Sequence, residues 1–312
     1  MRGRAAFAAA LVLVLLVVGR SAGAQGAPLP SSVLAVRDAR GAWREFWTSQ
    51  GAPTVWRDTP LATTTVWRTG ASGIEWTELA IRGSGEAWRT RLIVARVDPS
   101  RVRLALDTAF TPQREAAWTL ARAPRPVVLA VNAGQFEATM PWGWVVLDGR
   151  HWLPPQHGPL SAALMRDSSG ALRWIRGDDV QRVAAEHGAQ WAFQSYPAVL
   201  AGDSVLAPVR ASGLGVDVAH RDARAGICLT RDHRLFVALT RFDGAGRALH
   251  FVPFGLTVPE MTAVLGALGC RDAMLLDGGI SARLRVRDAR GVAHDWEGLR
   301  AVPLGLVAFP RR

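Results

Sequence analysis

The chain has 312 residues, 49% of them hydrophobic and 20% charged, the balance of a globular protein rather than a disordered or fibrous one. Its formal charge is +11, and every basic residue is an arginine, scattered along the chain rather than clustered. That pattern speaks against a nucleic-acid partner and fits an anionic substrate or an anionic envelope glycan. There is no Walker loop, Gly-x-Ser-x-Gly elbow or His-Glu-x-x-His motif; no cofactor is expected, and a metal requirement is left open.

Residues 1–24 read as a secretory signal: Arg2 and Arg4, an apolar core from Ala5 to Val18, then Ala22-Gly23-Ala24 before the cut. The expected location is therefore outside the cytoplasm, periplasmic or extracellular. Loss of Arg2, Arg4 and Arg20 with this leader lowers the charge by three, to +8. The apolar core is short for a membrane span, and an uncleaved anchor is the alternative. After cleavage no stable transmembrane span is expected. Cys228 and Cys270 both lie in the exported part, where a disulfide is permitted. Sequence does not tell whether their Cα atoms come close enough, and two cysteines alone cannot complete a tetrahedral zinc site.

Residues 25–72 form a lead-in segment. Ala27 to Ser32 is Pro/Ser-rich, and Val33 to Gln50 suits a short helix with Trp43, Phe46 and Trp47 on one face, either to pack on the main domain, the usual fate of such aromatics, or to bind a sugar. Gly51 to Gly73 reads as loop plus an edge strand. From residue 73 to 312 the pattern is that of one domain. Ile74 to Ile81 alternates as a half-buried strand. Arg91 to Val97 and Val102 to Asp107 are strands about the Asp98-Pro99-Ser100 turn, read together as a hairpin-like unit. Thr111 to Arg122 is a predicted helix stopped by Pro124 and Pro126. Val127 to Val131 is a buried strand, and it delivers Asn132-Ala133-Gly134-Gln135-Phe136-Glu137. Two short strands flank Ser168-Ser169-Gly170, and a short helix follows within Asp178 to His187. Gln194-Ser195-Tyr196-Pro197 precedes the apolar Ala198 to Leu200. His220-Arg221-Asp222-Ala223-Arg224 leads into a hairpin of Ala225 to Thr230 and Leu235 to Thr240.

Leu265 to Leu284, LGALGCRDAMLLDGGISARL, follows a helix over Val258 to Leu268 that has Pro259 at its start and Gly269 beyond its end. Ala273 to Leu276 is a strand, and Asp277 sits where it stops. Gly278 and Gly279 leave the backbone there open to positive φ and to a close ligand. On pattern alone Asp277-Gly278-Gly279 is equally the turn of a β-hairpin. Asn132 likewise suits a turn cap, and His220 a polar turn.

The stretch LGCRDAMLLDGGISARL, together with Asn132-Ala133-Gly134-Gln135-Phe136, Gln194-Ser195-Tyr196-Pro197, Arg224 before a strand and Val302-Pro303-Leu304-Gly305-Leu306, resembles the phosphodiester glycosidase family over roughly residues 73–310. The chain departs from that family's pattern at Tyr196 and Cys228, where the family carries Gly. The resemblance implies a mixed α/β domain with a largely β core sheet and several helices. It also implies an exported hydrolase that cleaves a sugar-1-phosphodiester to a free sugar and a phosphomonoester. Under it Asp277 is the carboxylate at the anomeric carbon and Arg224 the phosphate holder, with Arg221 a competing candidate for that role, Glu137 a second carboxylate and His220 a proton donor. Asn132, Gly134, Gln194, Ser195, Gly278, Gly279 and Ser281 would bind substrate. A rival on the same scaffold is a non-catalytic envelope glycan-binding protein that stacks sugars on Trp142, Trp144 and Trp152.

The signal pattern predicts cleavage after Ala24. N-terminal sequencing of the protein from its native host should begin at Gln25, whereas an intact Met1 in the envelope fraction would assign the leader as an anchor.

Overall fold

The computed structural model describes residues 32–50, 59–108, 118–158, 161–210, 216–244, 252 and 254–311; the expected signal, residues 1–24, lies outside them. Three antiparallel sheets carry the chain. The largest has ten strands. Its spatial order runs Ser204–Val205, Ala198–Ala201, Cys270–Leu276, Ala225–Thr230, Leu235–Phe242, Thr90–Val97, Ile74–Arg82, Val33–Arg37 and Trp43–Thr48, with Arg68–Thr69 also paired to Ile74–Arg82. The second sheet runs Arg150–Leu153, Val145–Leu147, Ala189–Ser195, Ala162–Asp167, Leu172–Arg176. The third runs Ala293–Trp296, Leu284–Arg287, Leu129–Asn132, Leu304–Pro310, Val102–Thr108.

Side chains from all three sheets meet in one core: Ile93, Val237 and Met274 from the first, Leu164 and Phe193 from the second, Val131, Leu284 and Leu306 from the third. The far face of the large sheet is covered by the helix Val258–Ala267. Thr257 and Glu260 close a capping box at its start. Met261, Val264 and Leu265 are fully buried beneath it, each burial contributing about 2 kcal/mol. Gly226 on the facing strand leaves room, since a Cβ there would stand 3.1 Å from Leu265. Helix Gly177–Ala185 covers the second sheet through Val180 and Val183. Trp118, Leu120 and Val127 cover the third.

Several expectations are corrected. The fold is mostly β rather than mixed α/β: every pair of strands among the described residues is antiparallel, and the helices are few. A run such as Val127 to Val131 is apolar throughout because it is sandwiched between the common core and the Trp118 cluster. Val33 to Gln50 is a hairpin of Val33–Arg37 and Trp43–Thr48 instead of a helix, and its first strand joins the large sheet by pairing with Ile74–Arg82. Phe46 is buried, while Trp43 is exposed with the Arg82 guanidinium stacked over it at 4.8 Å. Thr90–Val97 and Val102–Thr108 do not pair with each other; they part at Asp98 into different sheets. The predicted Thr111 to Arg122 helix falls partly outside the described residues, and its described end is a β-bridge at Trp118 and a single 3-10 turn, Leu120–Arg122. Cys228 and Cys270, left open by the sequence, are disulfide-bonded between adjacent strands with Cα atoms 5.7 Å apart.

Gly305 lies under the Trp118 indole, and a Cβ at this glycine would stand 2.3 Å from the ring. Gly305→Ala should therefore lower stability by about 2 kcal/mol, read as a fall in the urea midpoint. An unchanged midpoint would show that Trp118 moves aside freely.

Candidate active site

One strand end from each sheet delivers the site: Asn132 from the third, Ser195 from the second, and Leu276, just before Asp277, from the large one. The backbone of Asp277 is held at both of its polar groups. Its N–H donates to Gly134 O at 3.0 Å, and its carbonyl accepts from Asn132 Nδ2 at 2.9 Å. Asn132 Oδ1 accepts from Arg283 N at 3.0 Å, so one amide that is 1% exposed joins both ends of the Asp277–Arg283 turn. Ser195 Oγ donates to Leu275 O at 2.7 Å. The turn is no hairpin, because the strands on either side of it belong to different sheets and a 3-10 turn, Gly279–Ser281, lies between them.

The two glycines after Asp277 are there for contact. A Cβ on Gly278 would stand 2.6 Å from Ala223 O, and one on Gly279, whose φ is +57°, would stand 2.8 Å from an Asp222 carboxylate oxygen. Gly279 N also donates to Ala223 O at 2.7 Å. The turn is thus pressed against Asp222 and Ala223, and a second carboxylate comes to the site that the sequence had not assigned.

Burial holds the Asp277 carboxyl above the ordinary aspartate range, and the Asp222 charge adds to this; a hydrogen bond from Ser281 and the Arg300 and Arg283 charges oppose it. Asp222 is raised as well, chiefly by burial, against the charges of Arg224, His220 and Arg241 and the Ala223 N–H. Tyr196 is half-buried beside both Asp277 and Glu137. Burial, then these two negative charges, keep its phenol protonated above its usual range. Gln135 Nε2 donates to Tyr196 O at 2.9 Å, and the Trp142 ring meets the Tyr196 ring edge-on at 4.8 Å.

The arginines near the site have different settings. The Arg224 guanidinium is bonded to backbone carbonyls, Leu256 O at 2.8 Å and His220 O, and so braces the 220–224 loop. The arginines acting on Asp277 are Arg300 and Arg283. Arg283 is fully buried and donates to the carbonyls of Ser281, Trp118 and Arg300. Arg300 is exposed, lies over the Phe136 ring at 4.7 Å and donates to Ala138 O at 3.0 Å. It has no carboxylate within 4.0 Å among the described residues, which leaves its charge available to an anion.

The other expected residues fall into two groups. Gly134, Ser195, Gly278, Gly279 and Ser281 pack around Asp277, and Glu137 stands exposed on the short ribbon beside Tyr196. Asn132 and Gln194 are hydrogen-bonded into the framework. Gln194 is 1% exposed; its Oε1 accepts from Trp144 N and Gln156 N at 2.9 and 3.0 Å, and its Nε2 donates to Gln156 O at 2.8 Å. His220 is exposed and acts on Asp222, not directly on Asp277. Trp144 is wholly buried, which removes it from any sugar-stacking platform with Trp142 and Trp152. A cavity of about 430 Å³ lies at Trp152, and none of its lining residues belongs to the loops about Asp277. Among the described residues no three His, Cys, Asp or Glu side chains are placed to hold a metal ion. Asp222 carried one available signal, its place between two arginines just ahead of a strand. Arg300 carried none, because the contact that matters reaches back to residue 280.

The raised carboxyls set a pH dependence. Each binds its proton more tightly in the folded chain than in the unfolded one, so stability is greatest while both are protonated and falls as pH rises through their folded pKa values. Asp277→Asn removes one ionisation that burial penalises. Its melting temperature should exceed that of the unaltered protein at pH 7, and the gap should close below the ordinary aspartate pKa of 3.8. A gap that persists at low pH would mean that the amide acts by something other than charge.

Comparison with known proteins bears on the fold and the family. A search of curated proteins finds no match. Among solved structures, the zebrafish N-acetylglucosamine-1-phosphodiester alpha-N-acetylglucosaminidase catalytic domain, auto-inhibited by its pro-peptide, superposes with a TM-score of 0.58. The identity is 16%, over 84% of this chain and 94% of that one. A hypothetical protein from Synechocystis superposes with a TM-score of 0.55 at 15% identity, over 77% of this chain; the match spans 62% of the length of that protein. At these identities the likeness is one of fold. The family model for phosphodiester glycosidase matches residues 125–309, which take in Asn132, Ser195, Asp222, Asp277 and Arg300. With more than half of its length so matched, the chain belongs to the phosphodiester glycosidase family.

Proposed function

We propose that the protein hydrolyses the bond between the anomeric carbon of a sugar and the oxygen of a phosphodiester. The observation that carries this reading is the pairing of two half-buried carboxyls, Asp277 and Asp222, with an arginine, Arg300, that has no carboxylate within 4.0 Å among the described residues. The C1–O bond breaks with its electron pair going to the phosphate oxygen. Water supplies the hydroxyl of the free sugar, and its proton passes to a carboxylate. The carbon becomes oxocarbenium-like on the way, and a negative charge at Asp277 stabilises it. A phosphate monoester anion is already a good leaving group, so positive charge at Arg300 serves it better than a strong acid. Asp222, beside Gly279, is placed to take the proton from water, and the protonated Tyr196 hydroxyl to donate to Asp277 or to the sugar. Glu137 stands at the rim. The activity named for the zebrafish relative makes N-acetylglucosamine the first sugar to try. The leader pattern supports an exported, periplasmic or extracellular enzyme.

Purified protein should release free sugar and a phosphomonoester from a sugar-1-phosphodiester. Asp277→Asn should lower kcat about a thousandfold with KM little changed. Arg300→Gln should lower kcat/KM about a hundredfold, while Arg224→Lys should shift the melting temperature more than the rate. The acid limb of kcat/KM should lie above pH 3.8, since Asp277 must ionise. A folded Asp277→Asn protein with near-normal turnover would overturn the assignment.

A further inference from the structure

Two of the large apolar side chains exposed among the described residues lie on adjoining loops beside the site. Ile280 is 44% exposed and Leu299 is 61% exposed. Their loops lie side by side: Arg300 N donates to Ile280 O at 3.0 Å, and Gly298 packs so closely that a Cβ there would stand 2.7 Å from the same oxygen. This lip is rigid. Buried Arg283 holds the carbonyls of Ser281 and Arg300, and buried Arg241 holds those of Ala282 and Glu297. Exposed apolar groups on a fixed backbone lose little conformational freedom when a ligand covers them.

Charge and apolar surface are arranged in sequence along this lip. Asp277 is half-buried, Arg300 acts on its charge and has no carboxylate within 4.0 Å among the described residues, and Ile280 and Leu299 lie on the same two loops in solvent. A phosphate held by Arg300 has one ester arm toward Asp277 and the other free to lie on the lip. A sugar on that second arm would offer both side chains less apolar surface than a hydrocarbon chain does. A hydrocarbon would remove them from water at about 25 cal/mol per Å².

We infer that the phosphodiester taken by this site is a lipid-linked sugar phosphate, with the phosphate on Arg300 and the hydrocarbon chain of its second ester laid across Ile280 and Leu299. The inference rests on the proposed phosphodiester cleavage for its orientation, but binding tests it without turnover. The probes are dimethyl phosphate and methyl octyl phosphate, which carry the same charge, titrated below micelle formation and followed by tryptophan fluorescence. Covering two methylenes at about fourfold each should make the octyl diester bind on the order of tenfold more tightly. Ile280→Ser with Leu299→Ser should bring the two affinities within about threefold, with a melting curve to verify folding. Arg300→Gln should weaken both diesters.

Equal affinities in the unaltered protein, or an octyl advantage that survives the double substitution, would overturn the inference. So would sedimentation showing that the unaltered chain dimerises through the lip and the double variant does not, for a second copy would then be its occupant. An octyl advantage abolished by the double substitution, with no turnover of any sugar-1-phosphodiester of either tail length, would uphold the lip and overturn the proposed activity.

Discussion

One buried amide holds the site in register. Asn132 joins the third sheet to the large one by donating to the carbonyl of Asp277 and accepting from the N–H of Arg283. At 1% exposure no water replaces it. An apolar side chain here would leave a carbonyl and an N–H unpaired, each at about 1–3 kcal/mol. An aspartate would keep the acceptor and lose the donor. The position of the Asp277 carboxylate, and through it the spacing to Asp222 and Arg300, follows from this side chain and from the Gly134 carbonyl on the other side of the Asp277 peptide.

The charges around that amide are arranged at the expense of stability. Burial presses both aspartates toward their neutral forms, and it lowers the pKa of Arg241, beside Arg283, to about 10. The two buried arginines are tolerated because their donors are distributed over backbone carbonyls of the turns they support. Compensation lies elsewhere: in a core shared by three sheets, in the buried helix Val258–Ala267, and in the Glu260–Arg221 pair at 2.7 Å that ties this helix to the loop bearing Asp222. Strain and unfavourable charge are thus concentrated in the loops, and the sheets are left to hold them.

Local signals in the sequence gave up the elements where they were complete. The helix after Thr257 has its cap, its proline and its terminal glycine, and it forms as read. The Asp38 to Gly41 turn has equally good chemistry, with Asp38 Oδ1 accepting from Arg40 N and Ala42 N. The helical spacing of Trp43, Phe46 and Trp47 outweighed it wrongly. Strand partners were illegible, because apolar runs do not say which distant strand they meet; Thr90–Val97 and Val102–Thr108, neighbours in sequence, go to different sheets. Asp277 and Asn132 were legible through the family pattern, although the role of Asn132 was not. Arg224 and Arg300 look alike locally. Only the tertiary contacts separate them: Arg224 is bonded to the carbonyls of Leu256 and His220, while Arg300 is exposed, lies over Phe136 and acts on the Asp277 charge.

The strand that ends in Asn132 lies between Leu284–Arg287 and Leu304–Pro310, and the latter also pairs with Val102–Thr108. The third sheet therefore closes only across a long stretch of sequence. While the chain leaves the ribosome, Leu129–Asn132 waits without either partner until more than 150 further residues have followed. The nascent protein can hold all of its Asp277 turn and still lack the sheet that positions it. Long-range closure of this kind slows folding, because the entropy of closing a long loop is lost before the strand contacts repay it.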